Sequence, residues 1–381
     1  MQGYQLKDFN RAAFVAEYWQ KKPAVFRQAF TGFIDPLDEH ELAGLAQDAD
    51  IDSRIVARQG NKWHLSHGPF DAYSSVCKGH WSLLVQSVDQ HIPQADALLK
   101  AFNFIPQWRV DDLMVSFSNE GAGVGPHLDQ YDVFIIQGKG SRRWQIGTPG
   151  QHIERRPHKD LGQIASFDPI IDEVLHSGDM IYIPPGHPHN GVALEDCLNY
   201  SVGFRAPTQQ ELLTSFADYA LEHNLFKQRY QDPDLALRQH PAQITQTEVA
   251  KLRQLMQQML NSEELECWLG QHMSGANRPD QDYADEWIEY TPSQVLNLLN
   301  NNQLLRKRSG LRTAFIESQP PAFTFYIEGE RFHVPEAMQD MCKELLENDV
   351  WQGKIGLNTE NSLIFAQLMT TLINSGYWYL E

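Results

Sequence analysis

The sequence predicts a mixed α and β chain in three parts: an N-terminal β sandwich or barrel, a helical middle and a small winged-helix module. Three observations carry this. From Phe26 to Pro207, short β-type runs are cut by Gly and Pro: SRIVAR, DLMVSFS, DVFIIQG, RRWQIG, DMIYIPP and NYSVGFRAP. After RAPTQQ the apolar spacing changes to that of a helix. From about residue 283, helical runs surround one hairpin pattern.

Within the first part, DLMVSFS separates two faces. Leu113, Val115 and Phe117 share one; Asp112, Met114, Ser116 and Ser118 share the other. A bulky apolar face opposite a polar one suits a barrel whose lumen is a site and whose outside is covered. Ser116 would then support an acid group in the lumen, with Asp112 and Met114 nearer the mouth. Downstream, VFIIQ is expected to be a strand, GKGS a hairpin loop, and RRWQIG its antiparallel return. A strand of five residues spans roughly 16 Å.

In the middle, Leu212, Leu213, Phe216, Tyr219 and Ala220 fall on one helical face, and Val249, Leu252, Leu255, Met256 and Met259 on another. Thr245 and Glu248 open the second helix as a capping box. With no sheet to cover these stripes, a second copy of the chain is expected there. HMSGANRPDQD, from His272 to Asp282, is expected to be a linker. Beyond it PSQVLNLL, PEAMQDMCKELL and SLIFAQLMTTLI are helical patterns, and FTFYIEGERFHV is a hairpin turning near Gly329. The expected boundaries are 1–207, 208–275 and 283–381.

Composition narrows the function. Lys and Arg number 31 against 49 Asp and Glu, a net charge of −18, which argues against a surface built to hold phosphate backbones and favours a basic partner. Cys77, Cys197, Cys267 and Cys342 form no CxxC pair, so neither a disulfide framework nor a thiolate zinc site is expected. MQGYQLKDFNRAAF lacks an apolar core of signal-peptide length and no run approaches a membrane span, so a cytoplasmic location is expected.

The chemistry concentrates in GPHLDQYDVFIIQGKGSRRW and IPPGHPHNG. On a strand, residues two apart share a face, so His127 and Asp129 can bind one ion together. A second histidine completes a set that leaves three octahedral positions open, the arrangement suited to non-haem Fe(II). His187 and His189 are the candidates; His189 is preferred because Pro184, Pro185 and Pro188 stiffen its approach and it sits beside the next strand. Arg142, a strand-length away, is placed to hold the far carboxylate of a dicarboxylate that chelates the metal. Arg143 should then face solvent.

These stretches, with NYSVGFRAP, resemble the JmjC-type, cupin-like Fe(II)/2-oxoglutarate oxygenases, in particular the bacterial ribosomal oxygenases. WQKKPAVFRQAF, WSLLVQ and INSGYW extend the resemblance over nearly the whole chain. It implies Fe(II) on His127, Asp129 and His189, and 2-oxoglutarate on Arg142 with Ser116. Arg142 stands where many JmjC relatives carry lysine, which supports the bacterial branch. The resemblance also implies a double-stranded β-helix core, a helical dimerisation segment and a C-terminal winged-helix domain. The implied reaction is hydroxylation of an arginine side chain, at C-3, of large-subunit ribosomal protein L-sixteen, with O2 consumed and succinate and CO2 released. On that reading Asp112 pairs with the substrate guanidinium, Tyr131 and Met114 flank its stem, and Ser201 helps at the rim.

Two other readings compete. One is a related protein histidyl hydroxylase or lysyl demethylase. The other is a non-catalytic, oxoglutarate-sensing DNA-binding regulator, which needs a basic recognition helix; PEAMQDMCKELLEND carries more acid than base.

Overall fold

The computed structural model describes residues 3–275, 289–317, 322–352 and 359–380. It divides into two compact units, Met1–Ala206 with Arg308–Leu311, and Pro207–Lys307 with Arg312–Glu381.

In the first unit, chain order runs α1 (Arg11–Glu17), β1 (Ala24–Phe26), α2 (Glu39–Leu45), β2 (Ser53–Gln59), β3 (Lys62–His67), α3 (Tyr73–Val76), β4 (His80–Val85), α4 (Pro93–Leu99) and β5 (Val110–Ser118). It continues through β6 (His127–Leu128), β7 (Asp132–Gln137), β8 (Ser141–Gly147), β9 (Glu154–His158), β10 (Leu161–Ile164), β11 (Pro169–His176), β12 (Met180–Ile183), β13 (Pro188–Ala193) and β14 (Cys197–Phe204). Among the described residues an eight-stranded sheet, β1-β12-β7-β14-β5-β4-β2-β3, opposes a four-stranded sheet, β11-β8-β13-β6. Val133, Ile135, Ile181 and Ile183 of the larger sheet pack with Trp144, Ile146 and Leu175 of the smaller in one buried cluster between the two sheets.

The outer face of the large sheet is covered. Leu113, Val115, Phe134, Ile136, Tyr182, Leu198, Tyr200, Val202 and Phe204 join Phe14 of α1 and Leu98 of α4 in one buried cluster. Covering both faces explains why VFIIQ is buried at every position while its side chains alternate between two different cores. It also explains DLMVSFS, whose apolar set faces that cluster and leaves Met114, Ser116 and Ser118 for the inner face.

The expected hairpin between VFIIQ and RRWQIG does not form. β7 pairs with β12 and β14, whereas β8 pairs with β11 and β13 of the other sheet. GKGS is a corner that carries the chain between sheets. A Cβ on Gly138 would stand 2.0 Å from Asp35 Oδ1, and Gly140 has φ +75 with Asp196 O 2.5 Å from its Cβ position, so the corner excludes side chains twice.

The second unit begins with α5 (Gln209–Glu222), α6 (Gln246–Leu260) and α7 (Glu263–Ser274). Thr208 with Glu211 and Thr245 with Glu248 form reciprocal capping boxes on α5 and α6. Phe216 packs on Trp268 at 5.1 Å, while α6 buries no residue. The expected linker starts too early: His272 is helical and stacks on Trp268, so 272–274 belong to α7, and 276–282 lie outside the described residues. Then follow α8 (Pro292–Asn300), β15 (Leu305–Lys307), β16 (Thr313–Phe315), β17 (Ala322–Ile327), β18 (Glu330–Pro335), α9 (Gln339–Glu347), β19 (Val350–Trp351), α10 (Thr359–Asn374) and β20 (Trp378–Leu380). The β17–β18 hairpin turns on Glu328 and Gly329, both at positive φ as a two-residue type I′ turn demands.

Candidate metal and dicarboxylate site

His189, in β13, lies directly opposite His127 of β6 in the antiparallel register. Their rings are 4.1 Å apart between centroids. β6 ends at Leu128, so Asp129 is not on a strand beside His127; it sits on the crossing that leads to β7. Its carbonyl accepts a bond of 2.8 Å from Gly186 N–H, which ties this crossing to the IPPGHPH turn. Asp129 Oδ2 thereby comes 3.5 Å from His189 Nε2 and 3.8 Å from His127 Nε2. One ligand atom from each of the three lies within 4.8 Å of the others.

The histidines are oriented through their second nitrogens. Nδ1 of His127 meets Gly125 O at 2.9 Å, and Nδ1 of His189 meets His187 O at 3.1 Å. With Nδ1–H donated to a carbonyl, each Nε2 keeps its lone pair toward Asp129. Burial, then the neighbouring His127, holds the imidazole of His189 well below its ordinary value, so it is neutral at pH 7. Two imidazoles and a carboxylate suit a divalent non-haem metal and leave coordination positions open. His187 is also buried but stands outside this cluster.

Arg142 shares the inner face of β8 with Trp144 and Ile146, and Ile146 is the register partner of His189. Four residues along a strand put Arg142 about 13 Å from the metal-binding end. This register, rather than the length of VFIIQ, sets the separation. Arg142 is 6% exposed and pairs with no carboxylate among the described residues. Its Nη2 donates to Ser118 Oγ across the space between the sheets, while its Nε is buried without a partner. A buried guanidinium without a counter-charge is strongly unfavourable, so this one fits an incoming carboxylate. Arg143 faces outward and holds Asp172 through two bonds of 2.6 Å.

Opposite β8, the large sheet lines the space with polar groups. Ser116 is buried beside Asn199 in the β5–β14 register, and Asn199 Nδ2 donates to Gln137 Oε1 at 2.7 Å. The cleft thus has a metal-binding end, a cationic end and a polar wall.

Comparison with known proteins supplies the affiliation. A family model described as a JmjC domain matches residues 97–212, and one described as a ROXA-like winged helix matches 252–379. The ribosomal protein uL16 3-hydroxylase of Escherichia coli strain K12 is 44% identical, with 99% of each chain covered. The X-ray structure of E. coli YcfD gives a TM-score of 0.91 at 42% identity, covering 100% of both chains. YcfD described as a ribosomal oxygenase from Escherichia coli, in complex with cobalt and 2-oxoglutarate, gives 0.87 at 41%, covering 99% of both. The chain belongs to the JmjC ribosomal oxygenase family. The expected mixed fold, with a JmjC core and a winged helix, is the family's fold, although the winged-helix match starts inside α6 rather than at 283.

The structure places the other four expected site residues in two pairs. Met114 and Ser201 are register partners on β5 and β14. A Cβ on Gly203 would stand 3.7 Å from Asp112 Oδ1 and 4.0 Å from Tyr131 Cε2, so Asp112 and Tyr131 flank a position without a side chain. Tyr131 is 43% exposed, and its partial removal from water, then the carboxylates of Asp129 and Asp112, holds its phenol above the usual value. Asp112 has a structural task as well: Oδ2 accepts a 2.8 Å bond from the N–H of Ser87, a residue at φ +54.

Sequence reasoning missed several groups in this oxygenase. Ser118 holds Arg142, a role the sequence reading did not assign although the same alternation puts Ser118 with Ser116 on the inner face. Trp144 lies under the guanidinium, with Arg142 Cζ 5.8 Å from its ring, and two-residue spacing from Arg142 was a usable signal. Gln163, from β10, donates to Val124 O at 2.7 Å beside Gly125, the residue whose carbonyl orients His127. No local pattern marked Gln163.

Proposed function

We propose that this protein is an Fe(II)- and 2-oxoglutarate-dependent oxygenase that hydroxylates an arginine side chain, at C-3, of the large-subunit ribosomal protein uL16, the L-sixteen of the resemblance. The observation that carries the reading is the His127, Asp129 and His189 cluster between the same two sheets as a buried Arg142 that pairs with no carboxylate among the described residues. The substrate assignment rests on the E. coli uL16 3-hydroxylase, similar over 99% of both chains.

In this reading His127, Asp129 and His189 hold the iron, and Arg142 with Ser116 holds 2-oxoglutarate. With 2-oxoglutarate and O2, the bound iron supplies the oxidation of an unactivated C–H bond, releasing succinate and CO2. The chain supplies placement and exclusion of water. The carbonyls of Gly125 and His187 fix the ring tautomers, and the apolar cluster of Val133, Ile135, Ile181 and Ile183 between the sheets excludes water beside the cleft. Asp112 pairs with the substrate guanidinium, Tyr131 and Met114 flank its stem, and Ser201 lies at the rim. The −18 charge favours capture of a basic protein.

The second unit has a supporting role: 208–275 dimerises the enzyme, and the winged-helix part contacts protein rather than nucleic acid. The exposed Leu213, Leu252 and Met256 support the first statement. For the second, the basic residues of this part are few, Arg306, Lys307, Arg308 and Arg312 forming one short cluster, and Lys307 is buried with its Nζ on Leu346 O at 2.8 Å. No helix among the described residues is long and apolar enough to cross a membrane, and we place the enzyme in the cytoplasm.

The test is to incubate the protein with Fe(II), 2-oxoglutarate and isolated ribosomal proteins, then search by mass spectrometry for one added oxygen. An oxygen on an arginine of uL16, absent with His127→Ala, is the expected result. Modification of a histidine, or formaldehyde release from methyl-lysine, would overturn the substrate assignment.

A further inference from the structure

The hydroxyl that holds Arg142 is itself held. Ser118 Oγ accepts from Arg142 Nη2 and lies 2.7 Å from Ser82 Oγ, its cross-strand partner on β4. Ser118 is fully buried and Ser82 is 2% exposed, so water does not compete for either hydroxyl. A guanidinium has donors only, which makes Ser118 an acceptor toward Arg142 and leaves its own proton for Ser82. The chain Arg142–Ser118–Ser82 therefore runs from the small sheet into the large one. On the other side, the Trp144 ring limits the guanidinium, and Gly191 makes room for that ring, since a Cβ there would stand 2.7 Å from it.

We infer that Ser118, backed by Ser82, is a positioning residue for the dicarboxylate co-substrate: it fixes the plane of the Arg142 guanidinium and so sets the affinity for the carboxylate remote from the metal. This rests on the reading of Arg142 given above. Ser118 touches neither the metal ligands nor the mouth, so its contribution is specific to ligands carrying that second carboxylate. A long flexible arginine without this anchor would have to be ordered at the moment of binding, and the lost affinity is the cost of that ordering.

Calorimetric titration of 2-oxoglutarate into the Co(II)-loaded full chain without O2 tests the idea, with 2-oxopentanoate, which lacks the remote carboxylate, as the second probe. Ser118→Ala is expected to weaken 2-oxoglutarate about tenfold and leave 2-oxopentanoate unchanged. Ser118→Thr, which restores a hydroxyl, is expected to recover most of the loss. Wild-type affinity for 2-oxoglutarate in Ser118→Ala, or equal losses for both probes, would overturn the proposal. Should Ser118→Ala fail to fold, Ser82→Ala decides on the same two probes: a smaller loss confined to 2-oxoglutarate supports it, and no loss sinks it. Arg142→Ala separates the two levels of argument. If it binds 2-oxoglutarate as wild type, the reading of Arg142 itself is wrong; if it loses binding while both serine variants keep it, only the positioning role is wrong.

Discussion

The oxygenase unit and the helical segment that follows it depart from the usual inside-outside rule in opposite directions. The oxygenase unit places Arg142, Ser116, Ser118, Asn199 and His189 inside, each under a tenth exposed. The segment carrying α5 and α6 instead leaves Leu213 63% and Met256 57% exposed. A buried cation without an anion and an exposed apolar stripe are both unfavourable for an isolated chain. On the proposed function each inversion is completed by something else: a small charged ligand inside the first unit, and a protein surface against the second.

The largest effects should come from breaking the inside of this contrast. His189→Ala removes the most buried of the three proposed metal ligands, and we expect turnover of 2-oxoglutarate to fall at least about a thousandfold, with metal binding lost in calorimetry. Unchanged turnover would remove the cluster from the chemistry. Next, Arg142→Ala should raise the KM for 2-oxoglutarate about a hundredfold, whereas Arg143→Ala should change it less than about twofold. The two residues are neighbours of the same charge, so the ratio between them isolates burial as the cause.

The same pair shows how much of the site was legible. Alternation along RRWQIG and DLMVSFS was enough to turn Arg142 and Ser116 inward, because each strand has one covered apolar face that fixes its orientation. It could not reveal that β7 and β8 belong to opposite sheets. GKGS has the composition of a tight hairpin loop, and the contest between that local signal and the long-range β8–β13 pairing was decided by tertiary packing at Gly138 and Gly140. His127 and Asp129 were correctly associated for a partly wrong reason. The i, i+2 rule needs a strand, but Asp129 lies beyond β6, and what brings the three donors together is the cross-strand His127–His189 pair with the Gly186 tie. Ser82 and Gln163 were invisible because their meaning depends wholly on strands that pair at a distance.

The outside of the contrast is weaker per residue. Leu213→Asp combined with Met256→Asp places charge on two exposed apolar positions, one on each helix. If 208–275 forms the proposed dimer, sedimentation equilibrium should show the variant at a monomer mass where wild type is a dimer, with a thermal midpoint moved by less than about 4 °C. A variant that stays dimeric would assign these stripes to another role and break the symmetry of the comparison.

The smallest expected effect concerns how the helical segment is held where packing is thin. At the start of α6, Glu248 accepts from Arg238 Nη2 at 2.6 Å, from Thr245 N–H at 2.7 Å and from Thr245 Oγ1 at 2.8 Å. The Arg238 bond first, and the two Thr245 bonds after it, push the carboxyl down from 4.5 to about 2. Because the folded value is the depressed one, this contribution is complete above about pH 4.5 and is lost as pH falls toward 2. Glu248→Gln keeps a capping-box side chain but removes the charge. Its thermal midpoint should lie below wild type by no more than about 2 °C at pH 7, since the pair is only partly buried and one helix is affected. The gap should close between pH 4.5 and 2 in parallel scans. A gap that persists at the acid end would mean that shape, not charge, anchors α6, and the helical segment would then resemble the oxygenase unit in relying on packing.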